Sequence, residues 1–152
     1  MTADPPDAAS LLADLTSRDP QRVWAASHAV IRLPVAARLP LVPHLAAIRQ
    51  ATDGLDLGGA FYSNNDHLRQ ALRTLKAARD GRCSCTLYPG YLFYDPNKEQ
   101  ASGAVSILST SPPDWNITYR CQCRVCSTKY NVEQGEYHYT WWDWKPTTRS
   151  QA

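Results

Sequence analysis

Hydrophobic positions recur along this chain at two different periods, and the change falls near residue 83. Before it, apolar residues come three and four apart, the spacing of one helix face. Residues 7–16 predict a short first helix. Asp19-Pro20 then supplies an N-cap residue and a proline in the first turn. The helix that follows should run to about Leu33, burying Val23, Ala26 and Val30, with Pro34 ending it. A third helix is expected over about 40–52, with Leu41, Leu45 and Ile48 on one face and Gly54 as its stop. Residues 53–64 read as a polar, glycine-rich connection. Asn64 or Asn65 should cap the most regular helix, about 66–79, whose stripe is Leu68, Ala71, Leu72, Leu75 and Ala78, with Gly81 behind it. Arg69, Arg73, Lys76 and Arg79 lie off that stripe, as a solvated face would.

After residue 83 the runs become short, aromatic and β-branched. They are Thr86-Leu87-Tyr88, Tyr91-Leu92-Phe93-Tyr94, Val105–Leu108, Trp115–Tyr119 and Tyr137–Trp142. Pro89-Gly90, Asp95-Pro96-Asn97, Ser111–Asp114 and Gln134-Gly135 read as turns between them, giving an antiparallel meander of four to six strands. The expected class is therefore α+β: a helical part, 1–82, packed on a small antiparallel sheet, 83–152, as one compact unit. In the last run, alternation puts Tyr137, Tyr139 and Trp141 on one face and His138, Thr140, Trp142 and Trp144 on the other.

The cysteines sharpen the second half. Cys83-Ser84-Cys85 is followed, after a strand-rich stretch, by Cys121-Gln122-Cys123-Arg124-Val125-Cys126. Thiols grouped this way commonly hold one metal ion, Zn²⁺ first among them. The five cysteines compete for the four positions of a tetrahedral site. Cys121 and Cys123 share a strand face, and the Cys-x-x-Cys spacing favours Cys123. The expected ligands are Cys83, Cys85, Cys123 and Cys126, with Cys121 a buried neighbour or alternate and His138 a further candidate. Four thiolates close the coordination shell, so the zinc would be structural and not catalytic.

Composition narrows the function. The chain has 152 residues, 43% of them apolar, and a net charge of +2. Residues 1–82 carry ten Lys/Arg against eight Asp/Glu, and 83–152 carry six of each, so neither half is a basic nucleic-acid face. The N-terminus has no basic, then apolar, leader pattern, and no apolar run is long enough to span a bilayer. A reducing cytoplasmic location is expected, in keeping with the odd number of cysteines. No H-E-x-x-H, G-x-S-x-G, P-loop, G-x-G-x-x-G or zinc-deaminase pattern is present. His28, His44, His67 and His138 are scattered, and His28 and His44 read as satisfied helix residues. The expectation is a protein that is not an enzyme. An enzyme would need an open metal site, with three cysteines and His138.

Three stretches carry family resemblances. Asp19–Pro34 resembles a unit of a HEAT-type helical array. Cys123-Arg124-Val125-Cys126-Ser127-Thr128-Lys129-Tyr130 resembles a zinc-ribbon knuckle, in which a small residue follows Cys-x-x-Cys and an aromatic comes three positions later. Ser127 and Tyr130 stand at those places, while Cys83-Ser84-Cys85 replaces the more common Cys-x-x-Cys partner. In overall character, and in Tyr119–Cys126 with Val132–Trp142, the chain resembles immunity proteins of bacterial contact-dependent or secreted toxin systems. That resemblance implies a cytoplasmic monomer that binds a toxin domain and covers its active site, without membrane or nucleic acid. The alternative is a zinc-ribbon nucleic-acid-binding or transcription-linked protein, which the aromatics and the knuckle would serve.

Overall fold

The computed structural model describes residues 7–112 and 116–147. It is α+β, with the helices first and the sheet last. The chain divides into two compact units, Met1–Ser84 and Cys85–Ala152.

In the first unit, α1 (Ala8–Leu15) is capped by Asp7, which accepts from the Ser10 amide. α2 (Pro20–Arg32) begins at Asp19, whose carboxylate accepts from the Gln21 and Arg22 amides. Both caps satisfy amides that have no partner inside their helix. The third predicted helix, about 40–52, is instead two pieces, a 3-10 turn at Leu39–His44 and α4 (Leu45–Thr52), and a short unpredicted helix, α3 (Val35–Arg38), precedes them. Pro40 and Pro43 lack the amide hydrogens an uninterrupted helix would use. α5 (Asn65–Arg79) ends at Gly81, whose positive φ of 67° lets the Arg82 amide reach the Ala77 carbonyl. Asn64 stands at the expected N-cap position, but its side chain makes no capping hydrogen bond. Asn64 and Asn65 turn their side chains to Leu55 and Leu57, and so pin the connection before the helix.

The unit's core joins Leu11 and Leu15 with Ala26, Val30, Leu41, Leu45, Ile48, Ala71 and Leu75. Between α2 and α5 lies a polar exception. His28 and His67 bring their rings to 4.2 Å, flanked by Trp24 on one side and Tyr62 on the other. His28 Nε2 is buried with no hydrogen-bond partner among the described residues, so this histidine is not satisfied as its helix position suggests. Burial, and then the Arg32 charge, lowers its pKa. Burial, and then His28, lowers that of His67 to about 4.

The second unit is a four-stranded antiparallel meander: β1 (Val105–Thr110), β2 (Ile117–Cys123), β3 (Lys129–Glu136) and β4 (Thr140–Pro146), in that order across the sheet. Trp115 and the Pro113-Asp114 part of the predicted turn lie outside the described residues. Residues 86–88 and 91–94, read as strands, are not strands. The first sits in a 3-10 turn, Ser84–Leu87, and its continuation. Their aromatic side chains cover one face of the sheet. Tyr88 stacks on Trp144 at 4.1 Å, and the Trp144 indole donates to the Tyr94 carbonyl. Burial there, not strand pairing, uses their apolar character. Asp95-Pro96, read as a turn, starts a further helix, α6 (Pro96–Ala101), by the same capping that starts α2.

The sheet's edges are partly occupied. Gln100 accepts from the Ile107 amide beside a bulge that turns Leu108 outward, and the Leu92 carbonyl accepts from the Trp142 amide. Such cover limits pairing with other chains.

Gln134-Gly135 is not a turn. It lies inside β3, and the hairpin bends at 137–139 instead. The predicted strand over 137–142 is therefore broken, with Tyr137 and His138 exposed and Tyr139 half-buried at the bend, although Trp142 and Trp144 do share a face. Gly135 pairs with Trp141, whose indole ring occupies the space a Cβ at position 135 would need. A ring laid over a strand glycine restores the cover that the missing side chain gives up. Gly135→Ala should therefore cost about 1–3 kcal/mol by forcing the ring aside. At an open strand position the same change would gain stability. A thermal melt that rises or stays level in Gly135→Ala would contradict the ring's placement.

Candidate metal centre

Two short segments meet. The first is Cys83-Ser84-Cys85, where the 3-10 turn at Ser84–Leu87 buries the Cys85 side chain. Ser84, between the two cysteines, accepts from the guanidinium of Arg38, a buried residue that also donates to the Leu33 carbonyl. The second segment is the turn from β2 into β3. The Cys123 amide donates to the Thr128 carbonyl at 2.8 Å and the Ser127 amide to the Cys123 carbonyl at 3.0 Å, closing a tight loop. Ser127 takes a positive φ of 67°, which explains the small residue at that place.

The sulfurs of Cys83, Cys85, Cys123 and Cys126 all lie within 4.8 Å of one another. A tetrahedral ion with metal–sulfur bonds of about 2.3 Å sets its sulfurs about 3.8 Å apart, so this cluster fits one ion with small adjustment. Cys85 Sγ and Cys126 Sγ lie 3.4 Å apart. Each of these two, and Cys123, has a polar neighbour. The Val125 amide donates to Cys123 Sγ at 3.4 Å, the Thr128 hydroxyl lies 3.2 Å from Cys126 Sγ, and the Tyr130 hydroxyl donates to Cys85 Sγ at 3.2 Å. Such donors spread the charge that several thiolates would otherwise concentrate. Burial, with Cys85 beside it, raises the Tyr130 pKa, so the phenol stays protonated.

The four expected ligands are thus the four that come together, and the two alternates are elsewhere. Cys121 shares the strand face of Cys123, pairing with Tyr130 and Ile107, but it is wholly buried outside the cluster. Burial pushes its thiol up to about 11, so at neutral pH it is an uncharged core residue. His138 is exposed in the β3–β4 bend against Tyr137 and does not belong to the group. Sequence reasoning missed Tyr130's hydroxyl contact. Its place three positions beyond Ser127 marked it only as an aromatic, and which sulfur the ring reaches depends on the fold.

The cluster can hold one metal ion, and with four sulfurs around it no coordination position is left for substrate. No helix among the described residues is long and apolar enough to cross a membrane. Comparison with known proteins gives no match: no family model, no curated protein and no solved structure is similar to this chain at a significant level.

Proposed function

We propose that the four cysteines hold a structural zinc ion in the reducing cytoplasm, and that the protein works by binding another protein and not by catalysis. The partner is a bacterial toxin domain whose active site it covers. The observation that carries the reading is the closed four-sulfur cluster: it offers an ion full coordination and leaves no open position for chemistry. Its surroundings favour protein over nucleic acid. The outer face of the sheet sets Arg120, Lys129 and Lys145 with Glu133 and Asp143, an excess of only one positive charge. The β3–β4 bend exposes Tyr137, at 68% of its surface, beside half-buried Tyr139, which rests against Phe93. Tyrosines of this kind anchor protein interfaces.

The test pairs the protein with the C-terminal domain of a toxin encoded directly upstream of its gene. A stable complex, and survival of cells that co-express the two, is the expected result. Neither complex nor rescue would overturn the immunity reading. Salt-sensitive binding to single-stranded nucleic acid would replace it with the zinc-ribbon alternative.

A further inference from the structure

The four sulfurs are not equivalent. Cys85 and Cys123 are buried, Cys83 is half-buried, and Cys126 is exposed at the end of the turn. Cys85 is also gripped from behind. Tyr130, 3% exposed, donates its hydroxyl both to the Cys85 carbonyl at 3.0 Å and to the Cys85 sulfur at 3.2 Å. Its ring has little freedom to withdraw. It lies edge-on to Tyr88 and to Trp144, and its backbone pairs with Cys121 on β2 and Pro146 on β4. The phenol therefore fixes both the main chain and the side chain of one ligand.

We propose that Tyr130 is a positioning residue of the metal centre: it holds Cys85 in the coordination shell and leaves exposed Cys126 as the thiolate surrendered first. The inference rests on the zinc reading above. An O–H···S bond draws electron density from the sulfur, which weakens it as a nucleophile and steadies its orientation. Cys126 also has a hydroxyl 3.2 Å from its sulfur, that of Thr128, so access decides the order: Cys126 is exposed and Cys85 buried, and an attacking reagent meets Cys126 first. With iodoacetamide, the Cys126 thiolate forms a carbon–sulfur bond as iodide leaves. The neutral thioether that results is a poorer ligand, and the ion becomes exchangeable.

The experiment uses the full zinc-loaded chain and Tyr130→Phe, which keeps the ring and removes only the hydroxyl. Tyr119→Phe is the control. It removes another buried hydroxyl from the sheet, one that donates to Gln134 and not to the cluster. Zinc affinity is measured by competition with a chromogenic chelator, and alkylation order and timing by peptide mass spectrometry. Tyr130→Phe should bind zinc about 10-fold more weakly or worse, on the scale of second-sphere losses. Its Cys85 should be alkylated sooner after Cys126 than in the wild type, and the thiolate charge-transfer band of its cobalt form should move to lower energy. The wild type and Tyr119→Phe should lose Cys126 first. Unchanged affinity, band and Cys85 alkylation timing in Tyr130→Phe would overturn the proposal while leaving the zinc reading in place. A wild-type protein that takes up no zinc is a separate result, seen before any variant is made, and removes both.

Discussion

Withdrawing the metal with a strong chelator, or changing Cys123 to serine, is expected to unfold the second unit at physiological temperature. The reason is one of scale. A structural zinc ion contributes on the order of 10 kcal/mol to small modules that fold around it. A whole domain is commonly stable by only about 5–15 kcal/mol. The second unit has an aromatic core of its own, with Tyr88, Tyr94, Tyr119, Tyr130, Val132 and Trp144 buried. Even so, a loss of about half the zinc contribution would exceed what that core can spare. Once the ion is gone, the four sulfurs held within 4.8 Å of one another take up protons, and the bonds that joined the two cysteine segments are lost. Tryptophan emission should report the change, because Trp144 is buried against Tyr88. Cys121→Ser supplies the contrast. It places a hydroxyl in a buried site at a cost of about 1–3 kcal/mol but should keep one equivalent of zinc. If Cys123→Ser still binds zinc stoichiometrically, or the wild type purified without chelator holds less than about half an equivalent, the ligand assignment is wrong.

The helical unit should fail separately, in mild acid, through the His28–His67 pair. In the folded chain His67 titrates at about 4, below the ordinary histidine value of 6.5. The unfolded chain therefore binds the extra proton more readily, and stability must fall as pH falls. The sign follows directly. Above about pH 6.5 both states are neutral and nothing is lost. Between 6.5 and 4 only the unfolded state gains the proton, and below 4 the penalty is complete. A shift of this size corresponds to roughly 3 kcal/mol. His28 adds to it in the same direction, since its pKa is also lowered and a charge there would face Arg32. His67→Gln should flatten the dependence. Thermal melts of wild type and variant between pH 7 and pH 4 share any loss due to metal release, so their difference isolates the histidine. Parallel curves would show that the pair does not control acid stability.

Most helix boundaries were legible because their signals are local. Asp19-Pro20 fixes the start of α2 through one side chain and one ring, and Gly81 ends α5 through one backbone angle. The cysteine cluster was legible for a similar reason: Cys-x-Cys and Cys-x-x-Cys each need only a tight turn. Asp95-Pro96 carried the same signal as Asp19-Pro20, but its helix is only six residues long, too short to show a periodic apolar face. The strands were harder. Residues 86–94 have the composition of strands yet cover a sheet instead of joining it, and β3 was hidden because Gly135 looks like a turn residue until Trp141 lies over it. Apolar and aromatic character says that a side chain will be buried, not whether its backbone will pair.

The sequence by itself determined the class of the fold, with helices ahead of an antiparallel sheet, and picked out four of the five cysteines as a group that could hold a metal ion. Those depend on periodicity and on neighbours within a few positions. Only the tertiary structure decided which tyrosine holds Cys85, why Cys121 is excluded, and that His28 and His67 share a buried space. These are meetings between residues 39 or more positions apart, or choices of side-chain direction on one strand. Close packing settles them, since it admits one partner at each buried atom and excludes the rest.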